Sequence, residues 1–289
     1  MATKSLIDSF HESELLEFIK EIKSIIEEGI NESKRIIFLC GADKSDKKSI
    51  RYIFSLALEK QSSIELAYPE DLFEDLLEGQ GKNSLLALEE HLAKAVDLIA
   101  IIPESPGSFA ELGAFSSQEK LAKKTVVFRL SKYKSDRSFI NHGPIRLIKK
   151  HKGKVYDIPN NFNLKNTQEI ENIKSYIKAE LGGRRKKKNP DNFLSYPHQI
   201  LLLIYIIDGL TVGKVEALLE KIFNRTFKEN DRLATKAALH SLVKRRHIEE
   251  NESKFTITSL GYEYINQKYY MISKITELRI KAMNIQLAN

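Results

Sequence analysis

The sequence predicts an α/β fold with a doubly wound, mostly parallel sheet, followed by a smaller and mainly helical domain. Two observations predict the sheet: short, continuous apolar runs recur between residues 36 and 158, and helical stretches separate them. Strands that alternate with helices form βαβ units, and their right-handed crossovers produce an open, doubly wound sheet. The helical domain is predicted because helical periodicity dominates after a basic, glycine-containing segment at 182–190.

The predicted elements of the first domain follow in order along the chain. A first helix covers residues 8–29, where apolar residues recur at helical spacing. The predicted strands lie at residues 36–40, 64–68, 98–102, 125–130 and 155–158. Further helices are predicted at about residues 45–59, 84–95, 109–122 and 167–181. Ligands bind beyond the carboxyl ends of the strands in such sheets, so the predicted pocket consists of segments 40–45, 68–75 and 103–111.

The last third of the chain resembles a winged helix in its layout. Helical patterns cover residues 197–209, 211–223 and 231–246. A polar turn and the alternating segment 255–258 then predict a short hairpin, and a final helix opens at about residue 260. We therefore expect three parts: residues 1–183 as an α/β domain that includes the first helix, residues 184–192 as a basic linker, and residues 193–289 as a winged-helix-like domain.

The net charge of +7 is concentrated in the last third. Residues 184–289 contain 19 Lys and Arg against 11 Asp and Glu, whereas residues 1–183 contain 27 against 28. Clustered cations release counterions from nucleic acid, which predicts a polyanionic partner for this part of the chain. A solvated basic surface is the alternative. The candidate nucleic-acid-binding residues are Arg184, Arg185, Lys186, Lys187, Lys188, Lys236, Lys244, Arg245 and Arg246.

Composition excludes several classes of site. The single cysteine, Cys40, cannot form an intrachain disulfide, which fits a reducing cytoplasm. No histidine pair has metal-ligand spacing, so we expect no metal site. The N-terminal segment does not have the pattern of a signal peptide, and the longest apolar run, residues 200–207, is too short to cross a bilayer. We expect a cytoplasmic protein without a membrane partner.

The segment from Pro103 to Gly113 contains the strongest candidate for chemistry. It places a Pro/Gly turn between a buried strand and a helix, and free N–H groups at the helix N-terminus suit an anion. Glu111 is expected in the first turn of that helix, where a carboxylate can attack an anomeric carbon. The alternative is structural, because Ser108 and Glu111 fit the S-x-x-E capping box, in which Glu111 only caps the helix.

Several motifs in and around residues 35–150 carry a resemblance to a known family. They are Phe38-Leu39-Cys40-Gly41, Tyr68-Pro69-Glu70-Asp71-Leu72-Phe73, Gly79-Gln80-Gly81, Ser84-Leu85-Leu86, Pro103-Glu104-Ser105-Pro106-Gly107-Ser108, Glu111-Leu112-Gly113-Ala114-Phe115 and Arg137-Ser138-Phe139-Ile140-Asn141 with Gly143-Pro144. Together these motifs closely resemble the retron effectors that carry a nucleoside deoxyribosyltransferase-like domain. The C-terminal region is similar in layout more than in motif.

The resemblance implies a Rossmann-like, deoxyribosyltransferase-like core in which Glu111 is the catalytic nucleophile. It also implies an anti-phage toxin that a reverse transcriptase and its multicopy single-stranded DNA (msDNA/msdRNA) hold inactive until phage interference releases it. Relatives of the transferase type often complete their pocket across a subunit interface. The resemblance therefore implies a homo-oligomer or a higher assembly with the reverse transcriptase.

We expect an N-glycosidase that hydrolyses the base–ribose bond of NAD or, as a second choice, of a purine nucleotide, and that needs no cofactor. The expected substrate-binding residues are Cys40, Gly41, Asp43, Tyr68, Asp71, Asp97, Glu104, Ser105, Pro106, Gly107 and Ser108. Asp97 has an equally weighted alternative, a cap on the preceding helix. Two other functions stay open: a non-catalytic nucleotide-sensing regulator that binds nucleic acid through the winged helix, and an adaptor without an active site.

Overall fold

A computed structural model describes residues 12–28, 35–70, 95–182 and 192–287 of the chain. These residues form two compact units. One unit contains residues 35–70 and 95–182, and the other contains residues 12–28 and 192–287. The first described helix, α1, spans Glu12–Glu28.

The unit formed by residues 35–70 and 95–182 is built on a five-stranded parallel sheet, which confirms the predicted α/β class. The strands are β1 (Arg35–Cys40), β2 (Ile64–Ala67), β3 (Leu98–Ile101), β4 (Thr125–Leu130) and β5 (Lys154–Ile158). Their order across the sheet is β2-β1-β3-β4-β5. The order reverses between β1 and β3, and in open α/β sheets ligands bind at the carboxyl ends of the two strands beside such a reversal.

Helices follow the strands as the alternating pattern predicts. They are α2 (Ile50–Glu59), α3 (Pro106–Ser117), α4 (Glu119–Ala122), α5 (Phe139–His142), α6 (Pro144–Lys150) and α7 (Thr167–Leu181). The predicted strand bounds agree with the structure to within one residue at most ends, because continuous apolar runs mark strands that are covered on both faces. The predicted helix at 84–95 lies outside the described residues, except for its last residue.

Two helix starts differ from the prediction because side chains near them bond the backbone. Helix α2 begins at Ile50 rather than near residue 45, since the Ser49 hydroxyl caps it by accepting from the Tyr52 N–H at 3.0 Å. The residues before it form local turns instead, in which Asp43 accepts from the Ser45 N–H at 2.7 Å. Helix α3 begins three residues earlier than predicted, at Pro106.

Alternate residues of the strands cover the two faces of the sheet. On one face, side chains of β1, β3, β4 and β5 pack with Phe54 of α2 and with Ile173 and Ile177 of α7. The Phe54 ring meets Phe128 of β4 edge to face, with 4.7 Å between ring centroids. On the other face, Phe38 of β1 lies 6.2 Å from Phe115 of α3. Each fully buried large apolar side chain contributes about 1.5–3 kcal/mol to this core.

The second unit contains five helices and a hairpin among its residues 192–287. They are α8 (Tyr196–Ile206), α9 (Val212–Phe223), α10 (Glu229–Lys244), β6 (Ile248–Asn251), β7 (Lys254–Ile257), α11 (Ser259–Lys268) and α12 (Ile272–Leu287). Strands β6 and β7 pair antiparallel, and Leu210 adds a bridge to Phe255. Residues 200–207 are buried, so the longest apolar run of the sequence forms the centre of this unit's core.

Helix α1 belongs to this second unit, which differs from the predicted domain over residues 1–183. It packs against α9, and Glu21 lies 3.5 Å from Lys281 of α12. Its apolar stripe, which includes Phe18 and Ile22, is fully buried. An amphipathic helix buries its stripe against whichever partner offers a matching apolar surface, and sequence position does not identify that partner.

Candidate active site

The start of helix α3 determines the position of Glu111. Ser105 is the N-cap residue, and its hydroxyl accepts a hydrogen bond from the Ser108 N–H at 3.2 Å. The Ser108 hydroxyl accepts in return from the Ser105 N–H at 3.0 Å, so the capping box joins these two serines. Glu111 lies in the second turn of α3, which corrects the predicted first-turn position. The alternative in which Glu111 caps the helix is therefore wrong.

Glu111 lies half-buried against the end of strand β1. The thiol of Cys40, which is fully buried at the end of that strand, lies near enough to affect the pKa of the Glu111 carboxyl group. Burial and the neighbouring Glu111 raise the pKa of the Cys40 thiol well above its ordinary value, so the thiol keeps its proton. The structure thus brings together two of the residues that the sequence predicts for the site.

The surroundings of Glu111 raise the pKa of its carboxyl group toward neutral pH. Burial raises the pKa of the Glu111 carboxyl to about 7, against the opposing effects of the Cys40 thiol and the positive charge of Arg51. The negative charge of Glu70 raises it further. A carboxyl group with such a pKa exchanges its proton at the pH of a cell, which is a property of groups that take part in catalysis.

Arg51 and Glu70 form the charged pair beside this carboxyl group. The Arg51 side chain is 1% exposed, and its two terminal nitrogens donate to the two Glu70 oxygens at 2.5 and 2.6 Å. Burial favours the neutral Glu70 carboxyl, but the hydrogen bonds and charge of Arg51 hold the pKa of Glu70 below its ordinary value. Such bidentate pairing fixes the orientation of both side chains.

Glu104 has a different role from the predicted substrate contact. One of its carboxylate oxygens accepts from the Ala42 N–H at 3.3 Å and the Arg51 N–H at 2.9 Å, and the other accepts from the Ile50 N–H at 2.8 Å. The carboxylate therefore occupies the N-terminus of helix α2 as an internal anion. Glu104 joins the end of β3 to the β1–α2 connection.

Other predicted residues at this edge of the sheet bond or contact the ends of the same strands. The Ser105 hydroxyl donates to the Gly41 carbonyl at 2.8 Å, which joins the α3 cap to the end of β1. Tyr68 follows β2; its hydroxyl donates to Glu59 at 2.9 Å, and its ring faces the Arg51 guanidinium at 5.1 Å. Pro106 and Gly107 are exposed in the first turn of α3, next to the buried Ser108.

Two predicted residues have partners of their own that account for their positions. Asp97 lies at the opposite edge of the sheet, where it accepts from Arg35 at 2.9 Å and from the Ile36 N–H at 2.8 Å. This position explains Asp97 as a brace for the start of β1, rather than as a ligand of the pocket. Asp43 is exposed and accepts from the hydroxyl of Ser45 at 2.6 Å within its own turn. The predicted residue Asp71 lies outside the described residues.

Sequence reasoning did not select Arg51 and Glu70. An arginine within an amphipathic helix normally lies on the solvated face, so its 1% exposure was not predictable from spacing. One signal was present for Glu70, which directly follows the tyrosine and proline at the end of a predicted strand. Carboxyl ends of parallel strands meet at one edge, so this carboxylate qualified for the pocket by position.

The C-terminal unit presents exposed cations on helix α10. Lys236 and Lys244 lie on the exposed face of this helix, and Arg245 and Arg246 are exposed just after it. The hairpin that follows exposes mostly acidic residues: Glu249, Glu250 and Glu252. The predicted basic residues from Arg184 to Lys188 lie outside the described residues.

The part of the chain that the structure describes offers neither a metal cluster nor a membrane-spanning helix. No three His, Cys, Asp or Glu side chains there lie close enough together to hold a metal ion. No helix within residues 12–28, 35–70, 95–182 and 192–287 is long and apolar enough to span a membrane.

Comparison with known proteins relates the chain to a family and to two relatives. The family described as "STM3845 retron effector protein" matches residues 47–250. The chain is 35% identical over 267 residues to "Retron Ec86 putative ribosyltransferase/DNA-binding protein" of Escherichia coli, which covers 88% of this chain and 85% of the relative. It is also 35% identical over 120 residues to the retron Ec73 protein of the same description and organism, covering 40% of this chain and 38% of the relative.

Proposed function

The chain belongs to the STM3845 retron effector family, and we propose that it is the toxin of an anti-phage retron, acting as an N-glycosidase on NAD or a nucleotide. The name ribosyltransferase, printed for the relatives from retrons Ec86 and Ec73, supports chemistry at a glycosidic carbon. In this proposal the core is a Rossmann-like, deoxyribosyltransferase-like domain, and the strand order β2-β1-β3-β4-β5 supports it. A reverse transcriptase and its msDNA hold the toxin inactive.

The position of Glu111 carries this proposal. Its carboxyl group is half-buried at the carboxyl edge of the sheet. It does not cap helix α3, because two serines form that cap. Its pKa of about 7 leaves a large fraction ionised at neutral pH. A carboxylate with these properties can act as the nucleophile toward C1′ of a ribose.

The reaction proceeds in two steps. The ionised Glu111 attacks C1′ while the C1′–N bond breaks, and the bonding electron pair leaves with the base. With NAD the nicotinamide is cationic in the substrate, so it leaves as a neutral base without needing a proton. Water then attacks C1′, which restores the Glu111 carboxylate and releases the free sugar product and one proton. The protonated Cys40 thiol beside Glu111 favours the ionised form of that carboxyl group.

Hydrolysis fits a toxin better than transfer between bases. Transfer would leave the number of intact nucleotides unchanged, whereas hydrolysis depletes the pool. NAD is the first candidate because its leaving group is already activated. Purine nucleotides are the second candidate.

In the proposed assembly, the C-terminal unit is a winged-helix-like module that contacts the msDNA through helix α10. The name DNA-binding protein, printed for both relatives, supports this assignment. Lys236 and Lys244 are spaced to lie on one face of α10 and can meet phosphates. Exposed Glu249, Glu250 and Glu252 on the hairpin would repel phosphates, so we assign the nucleic-acid contact to α10 and not to the hairpin.

The test of the activity is a chromatographic assay of the purified chain, without its reverse transcriptase, against NAD and a panel of nucleotides. We expect release of nicotinamide or a free base from one of them, and a loss of at least about 1,000-fold in Glu111→Gln. Glu119→Gln, which removes an exposed carboxylate of the neighbouring helix α4, is the matched control and should retain the activity. Binding of nucleotides without any release would favour the nucleotide-sensing regulator instead.

A further inference from the structure

We propose that the unit with the five-stranded sheet carries its own binding surface for single-stranded nucleic acid, formed by the residues that connect β4 to β5. The surface consists of the exposed Lys, Arg, Tyr and Phe side chains of residues 131–152, which we call the basic strip. It lies in a different unit from helix α10. The inference is therefore independent of the contact assigned to α10 and of the proposed glycosidase reaction.

The first observation is the concentration of positive charge in this connection. Residues 131–152 contain seven Lys and Arg and one acidic residue, Asp136, whereas the remainder of residues 1–183 contains 20 Lys and Arg and 27 Asp and Glu. A part of the chain that is otherwise acidic thus displays one strongly basic segment. Cations gathered on a surface attract a polyanion and release its counterions when it binds.

Most cations of the basic strip have no acidic partner. Within the part of the chain that the structure describes, Asp157 lies 3.4 Å from Lys134, and no carboxylate lies within ion-pair distance of the other six cations. Three of these, Arg146, Lys149 and Lys150, share the exposed face of helix α6. Their charges are therefore available to the phosphates of a bound strand.

Two aromatic rings lie among these cations. Phe139 is 83% exposed, and Tyr133, between Lys132 and Lys134, is 46% exposed. The Lys132 ammonium lies 4.8 Å from the centre of the Tyr133 ring. A Cβ atom built on Gly143 would lie 3.6 Å from two carbons of the Phe139 ring, so this ring rests beside the glycine and is otherwise open to solvent. Exposed rings on a basic surface offer stacking sites to unpaired bases.

The loop that carries both rings is fastened to the sheet. The buried Arg129 of β4 donates to Asp157 of β5 at 2.6 and 2.8 Å, and to the side-chain oxygen of Asn141 at 2.7 Å. The side-chain nitrogen of Asn141 donates to the carbonyls of Tyr133 and Asp136 at 2.8 and 2.7 Å. Because these bonds hold the loop before any partner binds, less conformational entropy is lost when a strand binds.

Single-stranded nucleic acid fits these observations better than a duplex or an acidic protein does. The phosphates of one strand match the unpaired cations, and the faces of its bases match the exposed rings. In a duplex the base faces are stacked on one another and cannot reach Phe139. An acidic protein segment would meet the cations, but its carboxylates offer no planar partner to the rings.

The chain contains no tryptophan, so Phe139→Trp introduces a single indole whose fluorescence reports on the basic strip. We expect an oligothymidine of about 20 nucleotides, added to the full chain, to quench this fluorescence as a thymine stacks on the indole. Ser175→Trp places an indole on the exposed side of α7 and is the matched control, which should not be quenched. A Phe139→Trp fluorescence that oligothymidine leaves unchanged would overturn the proposal.

Removal of charge tests the role of the cations. The triple variant Arg146→Gln, Lys149→Gln and Lys150→Gln, made in the Phe139→Trp background, should weaken the binding measured by quenching at least about tenfold. The slope of log K against log salt concentration should decrease in magnitude by about two, as expected for three lost contacts to a single strand. Unchanged affinity and slope would contradict a contact between the strip and phosphates.

Three comparisons make the result specific. Replacing Lys48, Lys60 and Lys178 by Gln removes the same charge from exposed positions of the same unit and should leave the affinity unchanged; equal weakening would mean that net charge alone acts. Lys236→Gln with Lys244→Gln on α10 should leave the quenching intact, and its loss would overturn the proposal. So would polyglutamate that displaces oligothymidine with equal affinity, because the partner would then be an acidic protein. None of these measurements depends on base release, so failure of the proposed function leaves the test intact.

Discussion

At the amino edge of the sheet, Arg35 and Asp97 pair at 2.9 Å and brace the first residues of β1. At the carboxyl edge, Arg51 and Glu70 pair at 2.5 Å, and there the two charges also act on the pKa of a third ionisable side chain, Glu111. The same kind of ion pair therefore has a different consequence at each edge. At one edge it braces a strand, and at the other its two charges shift the pKa of a neighbouring carboxyl group in opposite directions.

The topology of the sheet explains this difference between the edges. The carboxyl ends of β1 and β3 diverge into helices on opposite sides, because the strand order reverses between them. At that edge Glu111 is half-buried and Arg51 is fully buried, so both side chains are shielded from water. Shielding raises the cost of an unpaired charge, so an ion pair has a large effect on a nearby carboxyl group.

The largest difference between the two edges is expected in enzyme activity when one carboxylate is removed from each edge. Glu104→Ala deletes the acceptor of three backbone N–H groups at the carboxyl edge. We expect kcat/KM for base release to fall by about 100-fold, because helix α2 is then no longer held in position relative to Glu111. Asp97→Ala removes a comparable brace at the amino edge. Both variants should lower the free energy of unfolding by about 1–3 kcal/mol in urea denaturation.

Only the carboxyl edge should show the loss of activity. A kcat/KM of Glu104→Ala within twofold of the native value would remove the distinction between the two edges. So would a fall in Asp97→Ala as large as that in Glu104→Ala.

The second prediction concerns the dependence of activity on pH. Glu111 must be ionised to attack C1′, and its pKa is about 7. We expect kcat/KM to fall by about tenfold for each pH unit below 7, as the nucleophile becomes protonated, and to level off above that value. The measurement is kcat/KM between pH 5 and 9 at constant ionic strength. A profile that is flat from pH 5 to 7 would contradict the assignment of Glu111 as the nucleophile.

The third and smallest effect concerns stability. Glu111 has an ordinary pKa near 4.5 in the unfolded chain and about 7 in the folded one, so the folded state binds the extra proton between these values. The free energy of unfolding therefore decreases as the pH rises from 4.5 to 7. The glutamine of Glu111→Gln cannot ionise. The free energy of unfolding of this variant should therefore exceed that of the native chain by about 1–3 kcal/mol at pH 8.

This gain in stability should shrink toward pH 4.5 and vanish below about pH 4, where Glu111 is protonated in both the folded and the unfolded state. Urea denaturation of the two proteins at pH 8 and pH 5 measures it. Glu119→Gln, which changes an exposed carboxylate, should show no such dependence on pH. A Glu111→Gln variant that is less stable than the native chain at pH 8 would contradict the buried location of this carboxyl group.

Much of the fold was accessible from the sequence, whereas the ends of elements were not. The apolar runs at 36–40 and 125–130 predicted strands correctly, because a strand buried on both faces must be apolar throughout. The starts of α2 and α3 depend on which serine hydroxyl meets which N–H. Ser49 and Ser105 became caps through their positions after a turn, and several serines nearby were equally plausible by type.

The candidate site divides in the same way. Glu111 and Cys40 follow directly from chain order, since both lie at the carboxyl end of a predicted strand or just after it. Glu104 was chosen for the pocket by the same argument, but its oxygens bond backbone N–H groups that are more than 50 residues away in sequence. The domain of helix α1 was also misassigned, because its apolar stripe is compatible with several surfaces.

By itself the sequence determined the α/β class, the positions of the strands, the basic final third and the choice of Glu111 as the candidate carboxylate. These properties depend on local patterns of polarity and on the rule that parallel strands end at one edge. Only the tertiary structure decided that Arg51 is buried against Gly41, that Glu70 binds it, and that Glu111 is free of the helix cap. The physical reason is that hydrogen bonds and charges act through distance in space, and segments remote in sequence set those distances.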